Sequence, residues 1–204
     1  DLGYAEVLIE VEGDGAKAAA LFFGRVLERF NVPAGKIGVY GYGEFHRDFE
    51  MIKRVSAANP QYQFVGEDGT TIFDEAFQTK DAHELLRIRS VAARTSEVLA
   101  LTWEYIASHR ADGDQVVDAD GKALTIGTVK RFVRRALLDH DLEDTDMIFA
   151  QGHDAGVPHS RGEADMPLKT GEAIVFDLFP REIGGGYHHD CTRTWSISYA
   201  KPEV

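Results

Sequence analysis

One cysteine, Cys191, stands in a chain of 204 residues. No intrachain disulfide can form, so the fold must be held by burial and hydrogen bonding, and a reducing compartment, the cytoplasm, is the expected location. The sequence also lacks any run approaching the roughly 18 to 20 apolar residues that a membrane-spanning helix needs. Basic blocks are missing as well: 22 Lys and Arg face 34 Asp and Glu, a formal net charge of −12. Nothing in such a chain neutralises phosphates, which argues against nucleic-acid and anionic-membrane partners. Residues 1–4 open without the basic segment of a signal peptide. No internal repeat or low-complexity tract is present. What the chain does have, 44% hydrophobic residues, suffices for one large core or two small ones.

Periodicity gives the organisation. Residues 5–11 alternate like a strand, and residues 14–30 read as an amphipathic helix with Leu21, Phe22, Val26, Leu27 and Phe30 on its apolar side, ended by Pro33 and Gly35. A strand over 36–42, a helix over 45–58 and a strand over 62–66 complete a β-α-β-α-β layout. Gly38, Gly41 and Gly43 lack the spacing with which a dinucleotide-binding turn approaches a pyrophosphate. Near Asp81 the character changes. Asp81 and Glu84 form a capping-box pattern before a long helix to about residue 108, carrying Leu85, Ile88, Val91, Ala92, Val98, Leu99, Thr102 and Ile106. His83-Glu84 begins like a zinc-peptidase helix, but Arg87 occupies the place of the second histidine. A loop is expected over 111–121, then a helix capped by Thr125 and a strand over 147–150. Gly152 to Gly156 mimics a nucleophile elbow, with Asp154 where the serine would be. Ser160 is a poor nucleophile candidate beside His159, because adjacent residues on an extended segment point apart.

The most informative segment is a predicted hairpin over 173–195. With its turn centred on Ile183-Gly184, Val175 faces Thr192, Asp177 faces Asp190 and Phe179 faces His188, all on one face of the ladder. Directly opposed β-carbons lie roughly 4.5 to 5.5 Å apart, and two carboxylates so placed destabilise a sheet unless a cation neutralises them. Oxygen ligands suit Mn, Mg or Ca, and mixed oxygen and imidazole sites also accept Zn, Fe or Co. A solvated acidic hairpin in another register is the alternative, since a slip of one residue would part the two side chains. Cys191 points away from Asp190 and reads as a small buried hydrophobe. Upstream, His153 and His159 join His188 and His189 of the hairpin in one histidine-rich stretch.

Taken together, Pro158-His159, Leu168-Lys169-Thr170-Gly171-Glu172, Asp177 and Gly186-Tyr187-His188-His189-Asp190-Cys191-Thr192-Arg193-Thr194 resemble the M24-type metallopeptidases: prolidase, Xaa-Pro aminopeptidase, creatinase and methionine aminopeptidase. In order and spacing the resemblance is to the Xaa-Pro branch, with the hairpin lengthened between Phe179 and Gly185. It implies two divalent ions, Mn, Co, Zn or Fe, with Asp177 holding one and Asp190 bridging both. It implies that His159 stabilises the tetrahedral intermediate or passes a proton, and that Thr192 and Arg193 orient the bridging carboxylate from behind. The implied reaction is metal-assisted hydrolysis of the amide bond preceding proline, with a proline-containing peptide as substrate, in a homodimer. Creatinase-like hydrolysis of a small non-peptide amide, and a non-catalytic binding module on the same fold, are the alternatives.

The implied fold is α+β: a partial creatinase-like α/β domain over residues 1–78, then the first half of a pita-bread catalytic domain over residues 79–204. In the family pattern a further histidine and two glutamates follow the hairpin. This chain ends at Val204, so the resemblance implies a fragment that binds metal weakly and hydrolyses little.

Overall fold

A computed structural model describes residues 3–202, so Val204 and the other outermost residues of the two expected domains lie outside it. The chain divides into two compact units, residues 1–79 and 80–204.

In the first unit the expected strand over 5–11 is instead a helix, α1 (Tyr4–Glu10). The burial pattern explains the difference. On a strand, Val7 and Ile9 would share a face, whereas Val7 is fully buried and Ile9 is 79% exposed. Seven residues are too few for periodicity alone to separate the two readings. Tyr4 meets Phe22 edge-on at 5.2 Å, packing α1 against α2 (Gly15–Arg29). Asp14 caps α2 by accepting from the Ala16 and Lys17 amides.

The buried stripe of α2 is Ala18, Ala20 and Gly24, while the expected Phe30 is exposed. β1 (Gly35–Gly38) is shorter than expected and pairs in parallel with β2 (Tyr62–Val65) across α3 (Phe45–Ala58). Asn59 ties the helices together, its buried amide donating to the carbonyls of Ala20 (3.1 Å) and Val55 (2.8 Å). A β-carbon at Gly24 would lie 1.8 Å from the Asn59 Oδ1, which explains a glycine in mid-helix. A further helix, α4 (Ile72–Phe77), is closed by a capping box between Thr71 and Asp74.

The second unit begins with α5 (Ala82–Ala107), whose capping box is complete: Glu84 N–H donates to Asp81, and Asp81 N–H donates to Glu84. Its buried face is Val91, Thr95, Val98, Leu99, Thr102 and Ile106, and the two threonine hydroxyls donate to carbonyls one turn back. Where a loop is expected, β3 (Arg110–Asp112) and β4 (Gln115–Val117) form a hairpin around Gly113-Asp114, with Gly113 at φ 61°. A Gly-Asp step with glycine at the first turn position is a hairpin signal that the acidic composition of the segment obscured. α6 (Ile126–Asp139) follows the Thr125 cap. Then come β5 (Leu142–Glu143), β6 (Ile148–Gln151), a 3-10 turn (Gly152–Gly156), β7 (Ala173–Leu178), β8 (Arg181–Glu182) and β9 (Cys191–Ser196).

β6, β7 and β9 make an antiparallel sheet with β7 central, and β5 pairs with β8 beside it. α5, α6 and one face of this sheet enclose a single core. Phe149 and Phe176 lie 5.2 Å apart at its centre, and Trp195 packs on Phe176 at 5.2 Å.

Candidate metal centre

β7 divides its side chains by strict alternation. Ile174, Phe176 and Leu178 are fully buried in the core, which turns Ala173, Val175 and Asp177 to the opposite face. β9 divides in step, with Cys191 and Trp195 packed against the core and Thr192, Thr194 and Ser196 facing the side that carries Asp177. Asp190 immediately precedes β9 and by the same alternation shares that face.

The register corrects one expectation. Asp177 faces Thr192 on one side and Ile148 on the other; it does not face Asp190. The pairing is shifted by two residues, because the loop runs over 183–186 and places Gly184 and Gly185 at φ 80° and 95°. Ile183, branched at its β-carbon, is a poor occupant of a positive-φ turn centre, and glycine is the natural one. A shift of two preserves the face, so the two aspartates still meet, diagonally rather than directly. Asp177 reaches Asp190 by a side-chain hydrogen bond, and the Asp190 carboxyl is held above the ordinary carboxylate range. Burial is the larger cause, followed by the negative charge and hydrogen bond of Asp177, with His189 pulling the other way. Two adjacent carboxylates are in kind the donor set of a hard divalent cation.

The supporting residues fall differently from their expected roles. Thr192 donates its hydroxyl to the carboxylate of Asp177, not of Asp190. Arg193 pairs with Phe176 and so starts from the opposite face, and its guanidinium donates to the Thr192 carbonyl at 2.8 Å. His159 is exposed at φ 62° in the turn after the 3-10 segment, closed by the Ser160 amide on the Val157 carbonyl. Among the described residues no hydrogen bond joins His159 to either aspartate, and no group of three or more His, Cys, Asp or Glu side chains is placed to hold a metal ion.

Two features were not foreseen. Gln151, buried at the end of β6, donates to the Pro167 carbonyl and accepts from the Lys169 amide, fastening the Leu-Lys-Thr-Gly-Glu turn to the sheet. Beside it lies a cleft of about 200 Å³, with His153, Asp154, Lys169 and Glu172 on its walls. The second feature is a set of polar contacts around Tyr187. Its sequence signal, the Asp81–Glu84 capping box, was visible, but the distant partner of Glu84 was not.

The sequence model of metallopeptidase family M24 matches residues 87–204. Among solved structures, the chain is similar to an X-Pro aminopeptidase from Thermotoga maritima MSB8, at 21% identity and a TM-score of 0.66, over 90% of this chain and 46% of that one. It is also similar to the dipeptidase PepE from Mycobacterium ulcerans, at 19% identity and a TM-score of 0.61, over 93% of this chain and 44% of that one. An X-prolyl aminopeptidase from Caenorhabditis elegans, described as a cytosolic enzyme with a di-nuclear active site, matches at 17% identity and a TM-score of 0.53, over 94% of this chain and 29% of that one. No curated protein matches. The chain thus spans less than half the length of these structures, and at such identities the likeness is one of fold: the α+β, pita-bread architecture expected from the sequence.

Proposed function

The chain belongs to metallopeptidase family M24, and from that premise we propose that it carries part of the metal centre of a peptidase cleaving the amide bond that precedes proline. The observation that supports this reading is the contact of Asp177 and Asp190 on one face of the central sheet, where desolvation and the neighbouring charge hold the Asp190 carboxyl above the ordinary carboxylate range. In this reading Asp177 is a ligand to one divalent ion and Asp190 a ligand to two. Bound ions of this kind supply Lewis-acid polarisation of an amide carbonyl and lower the pKa of water.

The chain's own residues do the rest. Thr192 fixes one oxygen of Asp177, leaving the other lone pairs for an ion. Arg193 stiffens the backbone at Thr192. The exposed imidazole of His159 acts on the substrate side, stabilising the tetrahedral intermediate or passing a proton. The substrate is a peptide with proline after the cleaved bond. Two carboxylates fill only part of a coordination sphere, since zinc takes about four ligands and calcium about six to eight. The affinity of this pair by itself is therefore weak.

The same reading makes the protein a cytosolic homodimer. No helix among the described residues is long and apolar enough to cross a membrane.

A calorimetric titration carried to millimolar Mn²⁺, where weak binding is read, on the chain and on its Asp177→Asn and Asp190→Asn variants, tests the proposal. Binding that disappears in both variants supports it. Identical heats in all three proteins, or none in any, would sink it and favour the binding-module alternative.

A further inference from the structure

The chain reaches Asp190 and β9 through a glycine-rich loop. Gly184, Gly185 and Gly186 all sit at positive φ (80°, 95° and 149°), a backbone that by itself leaves the next residues free to swing. Yet Tyr187, three residues before Asp190, is held from several sides. Its phenol donates to Glu84 Oε1 at 2.8 Å, its ring lies 5.1 Å beneath the Arg87 guanidinium, and its amide donates to Glu182 Oε2 at 3.1 Å. Glu182, on the other side of the loop, accepts from Arg87 at 2.6 Å and lies 3.6 Å from Arg94. Arg94 is fixed in turn by donating to the His140 carbonyl at 2.9 Å.

Glu84, Arg87, Val91 and Arg94 follow one another at helical spacing along one face of α5, and Val91 anchors that face in the core. Both sides of the hairpin loop are therefore tied to one helix whose inner face is buried. Glu84 is itself held, since its other oxygen accepts from the Asp81 amide at 2.8 Å. The side chains of Glu182 and Arg94 are only 19% and 24% exposed, so this network is less weakened by solvent than a surface ion pair. The chain also leaves room for it: a β-carbon at Gly186 would lie 2.5 Å from Glu182 Oε2.

We infer that Tyr187 and Glu84 are positioning residues, which lock the glycine loop to α5 and thereby aim Asp190 at Asp177. The inference rests on the reading of Asp190 as a metal ligand. The lock works through the backbone: from Tyr187 the chain runs through His189, whose amide donates to the Pro180 carbonyl, directly into Asp190.

The test uses the full chain, with two readouts: Mn²⁺ affinity by calorimetry, and amide hydrogen exchange over residues 188–192. Tyr187→Phe removes only the phenolic hydroxyl. It is expected to speed exchange across that segment and to weaken Mn²⁺ binding by about 10- to 100-fold, the usual cost of losing an outer support of a metal ligand. Glu84→Gln keeps one acceptor oxygen where the carboxylate uses two, and is expected to fall between wild type and Glu84→Ala, which is expected to match or exceed Tyr187→Phe. Asp81→Ala weakens the helix cap without touching Tyr187, and should lower the melting temperature while leaving Mn²⁺ affinity unchanged. Unchanged exchange and affinity in Tyr187→Phe, or an equal loss of affinity in Asp81→Ala, overturns the inference. If wild type binds no Mn²⁺, the ligand reading of Asp190 fails, and faster exchange in Tyr187→Phe still establishes the lock.

Discussion

In residues 80–204 large apolar side chains fill the inside: Phe149, Phe176, Leu137 and Leu178 are fully buried and belong to one continuous core. In residues 3–79 the buried set is short, Val7, Ala18, Ala20, Gly24, Val55, Asn59 and Tyr62, and holds no phenylalanine or leucine, while Phe45, Phe49 and Phe77 are exposed. The same kinds of residue are thus spent differently in the two units. The second derives its order from close packing against the buried face of α5, and the first leans on a buried amide and close helix contacts. A carboxylate pair that must keep its geometry against mutual repulsion belongs on the better-packed frame.

Substitutions can break or sharpen that contrast. The largest effect is expected from Phe176→Ala, which opens a cavity beneath Asp177 and should cost about 3 to 5 kcal/mol in urea unfolding. Its counterpart in the first unit is Asn59→Ala. This substitution leaves the carbonyls of Ala20 and Val55 without their donor and should cost about 1 to 3 kcal/mol. If Asn59→Ala were neutral and a half-buried apolar residue of α2, such as Leu21, proved costly instead, the contrast would fail.

A smaller effect is expected from acid. The Tyr187 amide, and after it Arg87, hold the Glu182 carboxyl below the ordinary glutamate range, against an opposing push from burial. A lowered folded-state pKa means that the contribution of this group is complete above the unfolded value and is lost as pH falls through the folded one. Wild type should therefore lose stability more steeply than Glu182→Gln as pH falls below the ordinary glutamate value of 4.5, as read from urea midpoints. The smallest effect belongs to Phe45→Ser. Phe45 is 84% exposed, and its replacement should shift stability by no more than about 0.5 kcal/mol.

Much of this was legible in the residues, and the failures have physical causes. The Asp81–Glu84 and Thr125 caps located α5 and α6, because a cap is a local event that needs only a few neighbouring residues. Alternation placed Asp177 and Asp190 on one face because it survives a two-residue shift of register. It could not give the register itself, which depended on which residues of Ile183-Gly184-Gly185-Gly186 take positive φ. α1 was misread as a strand because Val7 and Ile9 share an apolar character but not an environment. The partners of Thr192, Arg193 and Tyr187 were beyond reach, since each is chosen by how strands and helices dock and not by neighbouring sequence.

The carboxylate of Glu84 has one partner three residues away and another at a separation of 103 residues. The near bond can close as soon as the first turn of α5 forms. The far one must wait until α6 and most of the strands have been brought together, because closing a longer loop costs more chain entropy. Refolding should therefore cap α5 early and seat the hairpin last, making the Tyr187 hydroxyl a late reporter of assembly. A substitution there should speed unfolding and leave the folding rate almost untouched.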